Sequence, residues 1–344
     1  MKLFVTGAAG FIGFHLVKKL AEEKHDIVCI DNINNYYDVD LKYGRLAALG
    51  IKQNAPDIIK ENEITISTQY PHVKFGKFDL CDTEQIVSLF SENSFDIVIH
   101  LAAQAGVRYS LANPHAYISG NIQGFLNILE AARLYPSRHL IYASSSSVYG
   151  LNAKTPFSET DEVNQPASLY AATKRANELM AFTYNHLYHI PVTGLRFFTV
   201  YGPWGRPDMA PFIFTKSIIE GQPINVFNNG NMKRDFTYID DVIDGIMRVV
   251  KSNPAENEKN HTSAVLYNIG NGKPVPLMDF INTLEKALDK KAIIKYAPMQ
   301  MGDINSTWAD CSAIEHDTGF RPQTTLVSGI QKFAAWYKEY YKEK

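Results

Sequence analysis

The stretch that decides the fold is TGAAGFIG, residues 6–13. It follows the apolar run KLFV and opens into GFHLVKKLAEE, whose apolar residues recur at helical spacing. Gly7, Gly10 and Gly13 therefore stand between a strand and a helix. Glycines there let the backbone turn tightly and approach a pyrophosphate, while the helix N-terminus offers free N–H groups and a positive dipole. The spacing is GxxGxxG rather than GxGxxG, and three glycines alone also suit an ordinary tight turn. The second signal is Asp31, at the end of the next apolar run, DIVCID. A carboxylate there can hold both ribose hydroxyls of NAD and would repel a 2′-phosphate. Asn32 follows it, not an arginine. Together these residues point to NAD as cofactor.

Outward from that turn, VKFGKFDL, FDIVIHLAA and HLIYASS are apolar runs without alternation, as in a parallel sheet covered on both faces. TEQIVSLFSEN and GNIQGFLNILEAARLY between them read as helices. Residues 32–72 are polar and resist assignment. After VTGLRFFTVYG the pattern breaks: GPWGRPDMAP is turn-forming, and NVFNNGNMKRDFTY reads as a β-hairpin. IDDVIDGIMRVV is a further helix and LYNIG a further strand. The expected fold is α/β, a doubly wound parallel sheet over residues 1–198 with 237–270 returning to it. A smaller C-terminal α/β portion takes 199–236 and 271–344.

The 344 residues are 45% hydrophobic and 20% charged with a net charge of -2. That balance fits a globular protein and argues against a nucleic-acid or anionic-membrane surface. Three cysteines without metal-like spacing suggest reduced thiols, and His115, His186 and His189 show no ligand grouping, so no metal is expected. The early strand and glycine turn do not resemble a secretory leader, and the apolar runs are too short for a bilayer. The expectation is a cytoplasmic protein.

LYAATKRANE places Tyr170 and Lys174 at i and i+4 on one helix face. Half-ionising a tyrosine at neutral pH takes about 3 pKa units, roughly 4 kcal/mol. One cation at about 4 Å supplies about that much at an effective dielectric of 20, so Lys174 and an oxidised nicotinamide together suffice. Alone, the pair reads better as a surface contact. It gains meaning behind the glycine loop and the serine-ended strand YASSSSVYG, residues 142–150.

TGAAGFIG, DL at Asp79–Leu80, HLAAQAGV, SSSVYG, YAATK, RFFTVYGP and RDFTYIDD together resemble the extended short-chain dehydrogenase/reductase family, specifically its nucleotide-sugar epimerases and dehydratases. The resemblance runs from Lys2 to about Tyr337. It implies a Rossmann core, a nucleotide-sugar-binding C-terminal portion, and a homodimer pairing NIQGFLNILEAARLY with the Tyr170 helix. It also implies cofactor contacts from Phe11, Ile12, Asn32, Asp79, Leu80, Leu101, Ala102 and Ala103, with Tyr170, Lys174 and Ser145 as the catalytic trio.

Family dehydratases carry an Asp-Glu pair in the serine segment, and decarboxylases a glutamate where Ser147 stands. YASSSSVYG has no acid. The outcome left is 4-epimerisation: proton to tyrosinate, hydride to NAD, rotation of the keto sugar, and hydride return. GLRFFTVYGPWGRPDMAPF and DNINNYYDVDLKYGRL resemble the epimerases acting on UDP-glucuronate, to give UDP-galacturonate. UDP-glucose or UDP-N-acetylglucosamine epimerisation is the runner-up, and decarboxylation a less favoured alternative. Thr199 with Ser144 to Ser147, Ser146 among them, would solvate the uronate carboxylate. By the same resemblance Arg234 would contact the diphosphate, Asn228 the uracil and Asp303 the ribose. Arg108 and Arg206 would face the cleft.

Overall fold

Runs of apolar residues become strands here because helices cover both sides of the sheet they enter. The structure, a computed structural model, describes residues 1–51, 59–252, 254, 263–300 and 304–342. The first strands are β1 (Lys2–Thr6), β2 (Asp26–Asp31), β3 (Ile64–Ile66), β4 (Val73–Lys77), β5 (Ile97–His100), β6 (His139–Ser145) and β7 (Val192–Phe197). β8 (Thr199–Tyr201), β9 (Pro223–Phe227), β10 (Lys233–Tyr238), β11 (Ala264–Ile269), β12 (Pro274–Pro276) and β13 (Ile293–Ala297) follow.

Among the described residues, eight strands form one sheet in the order β11-β7-β6-β5-β1-β2-β4-β3. All pairs are parallel except β3 with β4. In β1, Leu3 and Val5 join a core with Leu16, Val17 and Leu20 of the helix Phe11–Glu22 and with Val242 and Ile246 of the helix Ile239–Lys251. Phe4 points the other way, among Phe90, Phe125 and Ile128. After β4 the chain crosses to the far side of β1 and enters β5, so the strand order reverses beside β1. In open α/β sheets ligands bind at that reversal, outside the carboxyl ends of the strands.

Two further sheets, β12-β10-β8 and β13-β9, carry the C-terminal part. The expected hairpin over NVFNNGNMKRDFTY does not form. β9 pairs in parallel with β13, whereas β10 pairs with β8 and β12. Asn228, Asn229 and Gly230 all have positive φ, and that turn hands the chain to another sheet instead of folding it back. Part of the unassigned region is ordered: Val39–Ala48 is a helix capped by Asp38, whose side chain accepts from the Asp40 N–H at 2.9 Å. Arg45 in it is fully buried, donating to Trp204 O at 2.7 Å and Ala9 O at 2.8 Å. No helix of the described residues is long and apolar enough to cross a membrane.

Candidate active site

The carboxyl ends of β1, β2, β5 and β6 open into a cleft of about 640 Å³. At one end Gly7 has φ +78°, and a Cβ there would lie 2.8 Å from the Ala102 nitrogen. A Cβ on Gly13 would sit 2.0 Å from Gly7 O, so the helix can start against the loop only with glycine. Asp31 closes β2. Its Oδ2 accepts from Ala9 N–H at 3.1 Å and its Oδ1 from Ile33 N–H at 2.8 Å, which fixes the carboxylate beside the glycine loop. Asn32 donates to Asp79 Oδ2 at 3.2 Å. Gly10, Phe11, Ile12, Leu80, Leu101, Ala102 and Ala103 line the same end.

The other end is built on β6 and the helix Leu169–Tyr188, whose first turn is capped by Ser168 accepting from Ala171 N–H at 3.1 Å. The Tyr170 and Ser145 hydroxyls both belong to this end of the cleft. Burial pushes the phenol up, against the Ser145 hydroxyl and the nearby positive charge of Arg206. Lys174 is buried and donates from Nζ to Ala143 O at 2.9 Å. Burial lowers its pKa to about 8, with Glu178 opposing. Arg206 thus adds a further positive charge beside the phenol, in addition to the expected Lys174 and nicotinamide.

The four serines divide their work. Ser145 Oγ accepts from Ser147 Oγ at 2.9 Å and from Ser147 N–H at 3.2 Å. Ser146 and Ser147 line the cleft, with Thr199 at the start of β8. Ser144 differs from the expectation of a hydroxyl serving the substrate: its Oγ donates to Glu178 Oε1 at 2.6 Å. Glu178 is in turn held by Arg196 at 2.8 and 2.9 Å and by Arg175 at 3.0 Å. This buried carboxylate was missed because its partners are far apart in sequence. Its position one turn beyond Lys174 on the same helix face was the available signal.

Arg206 lines the cleft, and its guanidinium grips Asp208 through Nε at 3.0 Å and Nη2 at 2.5 Å. Asp208 also accepts from Tyr36 at 2.8 Å. Burial would raise its carboxyl, but Arg206 outweighs this and holds it below the usual aspartate range. Arg234 lines the cleft and donates to Asn305 O at 3.3 Å. Arg108 does not line it; its guanidinium lies 5.2 Å from the centre of the Phe227 ring. Asn228 also stands outside the lining, donating to Asn231 O and Asn305 Oδ1. Asp303 falls outside the described residues. His100 packs on Phe125 and bonds Thr6, and burial lowers its pKa to about 3. No cluster of metal-ligating side chains occurs among the described residues.

The NAD dependent epimerase/dehydratase family matches residues 3–270. The chain belongs to this family. A probable UDP-glucuronate 4-epimerase of Rhizobium meliloti is 42% identical over 99% of this chain and 98% of its own length. UDP-glucuronate 4-epimerase 4 of Arabidopsis thaliana is 44% identical, over 98% of this chain and 76% of its own length. The crystal structure of UDP-glucuronic acid 4-epimerase from Bacillus cereus, with UDP-glucuronic acid and NAD, superposes with a TM-score of 0.85 at 33% identity. It covers 99% of this chain and 100% of that one.

As in other NAD-dependent members of the epimerase/dehydratase family, the cofactor end needs room for backbone against pyrophosphate. Gly7, Gly10 and Gly13 leave a cradle that a side chain would fill, and the fixed Asp31 carboxylate suits two ribose hydroxyls. The residues present therefore fit NAD. Tyr36, Lys42, Gln104, Gly106, Ile304 and Thr307 also line the cleft. Tyr36, Lys42, Gln104 and Gly106 lie within DNINNYYDVDLKYGRL and HLAAQAGV but carry no spacing that marks them singly, and Ile304 and Thr307 lie in no motif.

Proposed function

We propose that the chain is a UDP-glucuronate 4-epimerase, interconverting UDP-glucuronate and UDP-galacturonate. The observation that carries this reading is the distribution of charge along the cleft. Among its described lining residues the carboxylates are Asp31 and Asp79, both at the cofactor end. The sugar end offers hydroxyls from Ser145, Ser146, Ser147 and Thr199 and the cation of Arg206. Elimination needs an extra acid and base, which this end lacks. A C6 carboxylate meets hydroxyl donors and a cation rather than like charge.

Bound in the cleft, NAD supplies the oxidation and reduction at C4. Tyr170 takes the proton of the sugar 4-hydroxyl and returns it, with Ser145 beside it and its phenolate stabilised by Arg206 and Lys174. A glucuronate oxidised at C4 is a β-keto acid, which loses CO2 when the C5–C6 bond aligns with the carbonyl π system. Thr199 and the serines hold the carboxylate out of that alignment. Arg234 takes the diphosphate, as a guanidinium's paired donors suit, with Asn228 and Asp303 toward the nucleoside. Arg108 serves from outside the lining.

The nucleotide-sugar part comprises 199–236 and 271–344, and 1–198 with 237–270 the cofactor part. The protein works in the cytoplasm as a homodimer. Leu179, Phe182, Leu187 and Tyr188 are exposed on the Tyr170 helix, as are Leu134 and Tyr135 near the end of Gly124–Leu134, which gives two apolar faces for a second copy. Sedimentation of Leu179→Glu beside the unaltered protein checks this, a monomer being the expected result.

The test of function is to incubate the protein separately with UDP-glucuronate and UDP-glucose and to follow products by NMR. UDP-galacturonate from the acid supports the reading. Turnover of UDP-glucose alone would favour the neutral hexose, and a UDP-pentose would mark a decarboxylase.

A further inference from the structure

Asp235 follows Arg234 in β10 and is wholly buried. Its Oδ1 accepts from the Asn271 N–H at 2.7 Å and from Thr237 Oγ1 at 3.3 Å. Its Oδ2 accepts from the N–H groups of Gly272 at 3.0 Å and Ala309 at 3.1 Å. Burial pushes its carboxyl up; these donors oppose that and support its charge, and no lysine or arginine stands among them. Burying a carboxylate without a cation costs several kcal/mol unless its lone pairs are filled. Only an ionised carboxylate offers two oxygens that accept and never donate. An asparagine would turn N–H against N–H. The residue type is therefore explained by the task of tying three segments together: β10, the turn after β11, and 304–309.

Those segments meet at one place in the cleft. Lys233 donates its N–H to Asn305 O at 2.9 Å, and Asn305 O also receives Arg234. Thr307 returns its N–H to Lys233 O at 3.2 Å, and its Oγ1 accepts from the Asp235 N–H. Trp308 donates from Nε1 to Gly272 O at 3.0 Å. Arg234, Ile304 and Thr307 face the cleft; Asp235 and Trp308 do not.

We infer that Asp235 is a positioning residue for substrate affinity, holding Arg234 and Thr307 in register for a nucleoside diphosphate that it does not touch. This rests on the reading of the cleft as a UDP-sugar site. It separates two properties: the clamp governs how tightly the nucleotide is held, while the chemistry at Tyr170 and the glycine loop that takes NAD lie on other segments.

The test is calorimetric titration of the NAD-loaded protein with UDP, together with KM and kcat for the sugar nucleotide. Asp235→Asn is expected to weaken UDP about tenfold and to raise KM by a similar factor. Its kcat should stay within about twofold, and its NAD content should be unchanged. Trp308→Phe removes a bond of the same clamp without burying a charge, and should weaken UDP about threefold. A folded, NAD-loaded Asp235→Asn protein that binds UDP as the unaltered protein does overturns the inference. If that variant does not fold, Trp308→Phe decides, and unchanged UDP affinity there overturns it equally. An unaltered protein that does not bind UDP would instead defeat the assignment of the cleft, and this inference with it.

Discussion

The two ends of the cleft are held by different means. At the cofactor end the working groups are main chain, placed by glycines whose absent side chains leave clearances of 2.0 to 2.9 Å. At the sugar end the working groups are side chains aimed by other side chains: Ser145 by Ser147 and Arg206 by Asp208. The first end is sensitive above all to volume, with the Asp31 carboxylate as its fixed charge. The second tolerates small changes of volume but depends on which proton and which charge stand where.

The largest effect should come at the sugar end from the smallest change of shape. Tyr170→Phe removes one oxygen and is expected to cut turnover by about 10³-fold or more. NAD should remain bound, as read by absorbance of the released cofactor. At the cofactor end a single methyl should do the reverse. Gly13→Ala forces a Cβ against Gly7 O, and overpacking of this kind costs about 1–3 kcal/mol. The purified variant should carry little NAD while its sugar end stays intact, and NAD content with the melting temperature checks both. If Gly13→Ala retains full NAD, the contrast between the ends is broken.

Next in size is the buried ion pair behind the serines. Glu178→Gln leaves Arg196, 1% exposed, without its full counter-charge, and about 3–5 kcal/mol of stability should be lost in urea unfolding. Thr199→Ala sharpens the contrast further. It should lower turnover or release a 4-keto pentose while leaving NAD and stability alone. Neither effect would remove Thr199 from the account.

The smallest effect is one of pH. Lys174 has a folded pKa of about 8 against 10.5 when free. Between these values the unfolded chain binds the extra proton, so this group's contribution to stability rises with pH. Activity should move the other way, falling as Lys174 loses its charge above about pH 8. A pH–rate profile set beside unfolding at the same pH values checks the opposite slopes.

This division also explains what could be read from the chain. Gly7, Gly10, Gly13 and Asp31 act through local spacing, and the parallel strands announce themselves by continuous apolar runs. The hairpin expected over residues 225–238 failed because Asn228–Gly230 is a turn whose outcome depends on which sheet offers an edge. The helix Val39–Ala48 was hidden because its buried face includes Lys42 and Arg45, charged residues satisfied by the Asn34 carbonyl in the preceding loop and by the Trp204 carbonyl far along the chain. Glu178 escaped for a like reason, since Ser144 and Arg196 lie far from it along the chain, whereas Asp208 stands two residues from Arg206 in a turn-forming stretch where an Asp is expected anyway.

The central claim is that the C4 hydrogen goes to NAD and comes back, with C6 left intact beside a strand end that carries no acid. The most direct measurement is conversion of UDP-glucuronate deuterated at C4, followed by NMR and mass spectrometry. The account predicts UDP-galacturonate that keeps deuterium at C4 and six carbons in the sugar. Loss of the label to solvent, or a five-carbon product as the main species, would contradict it.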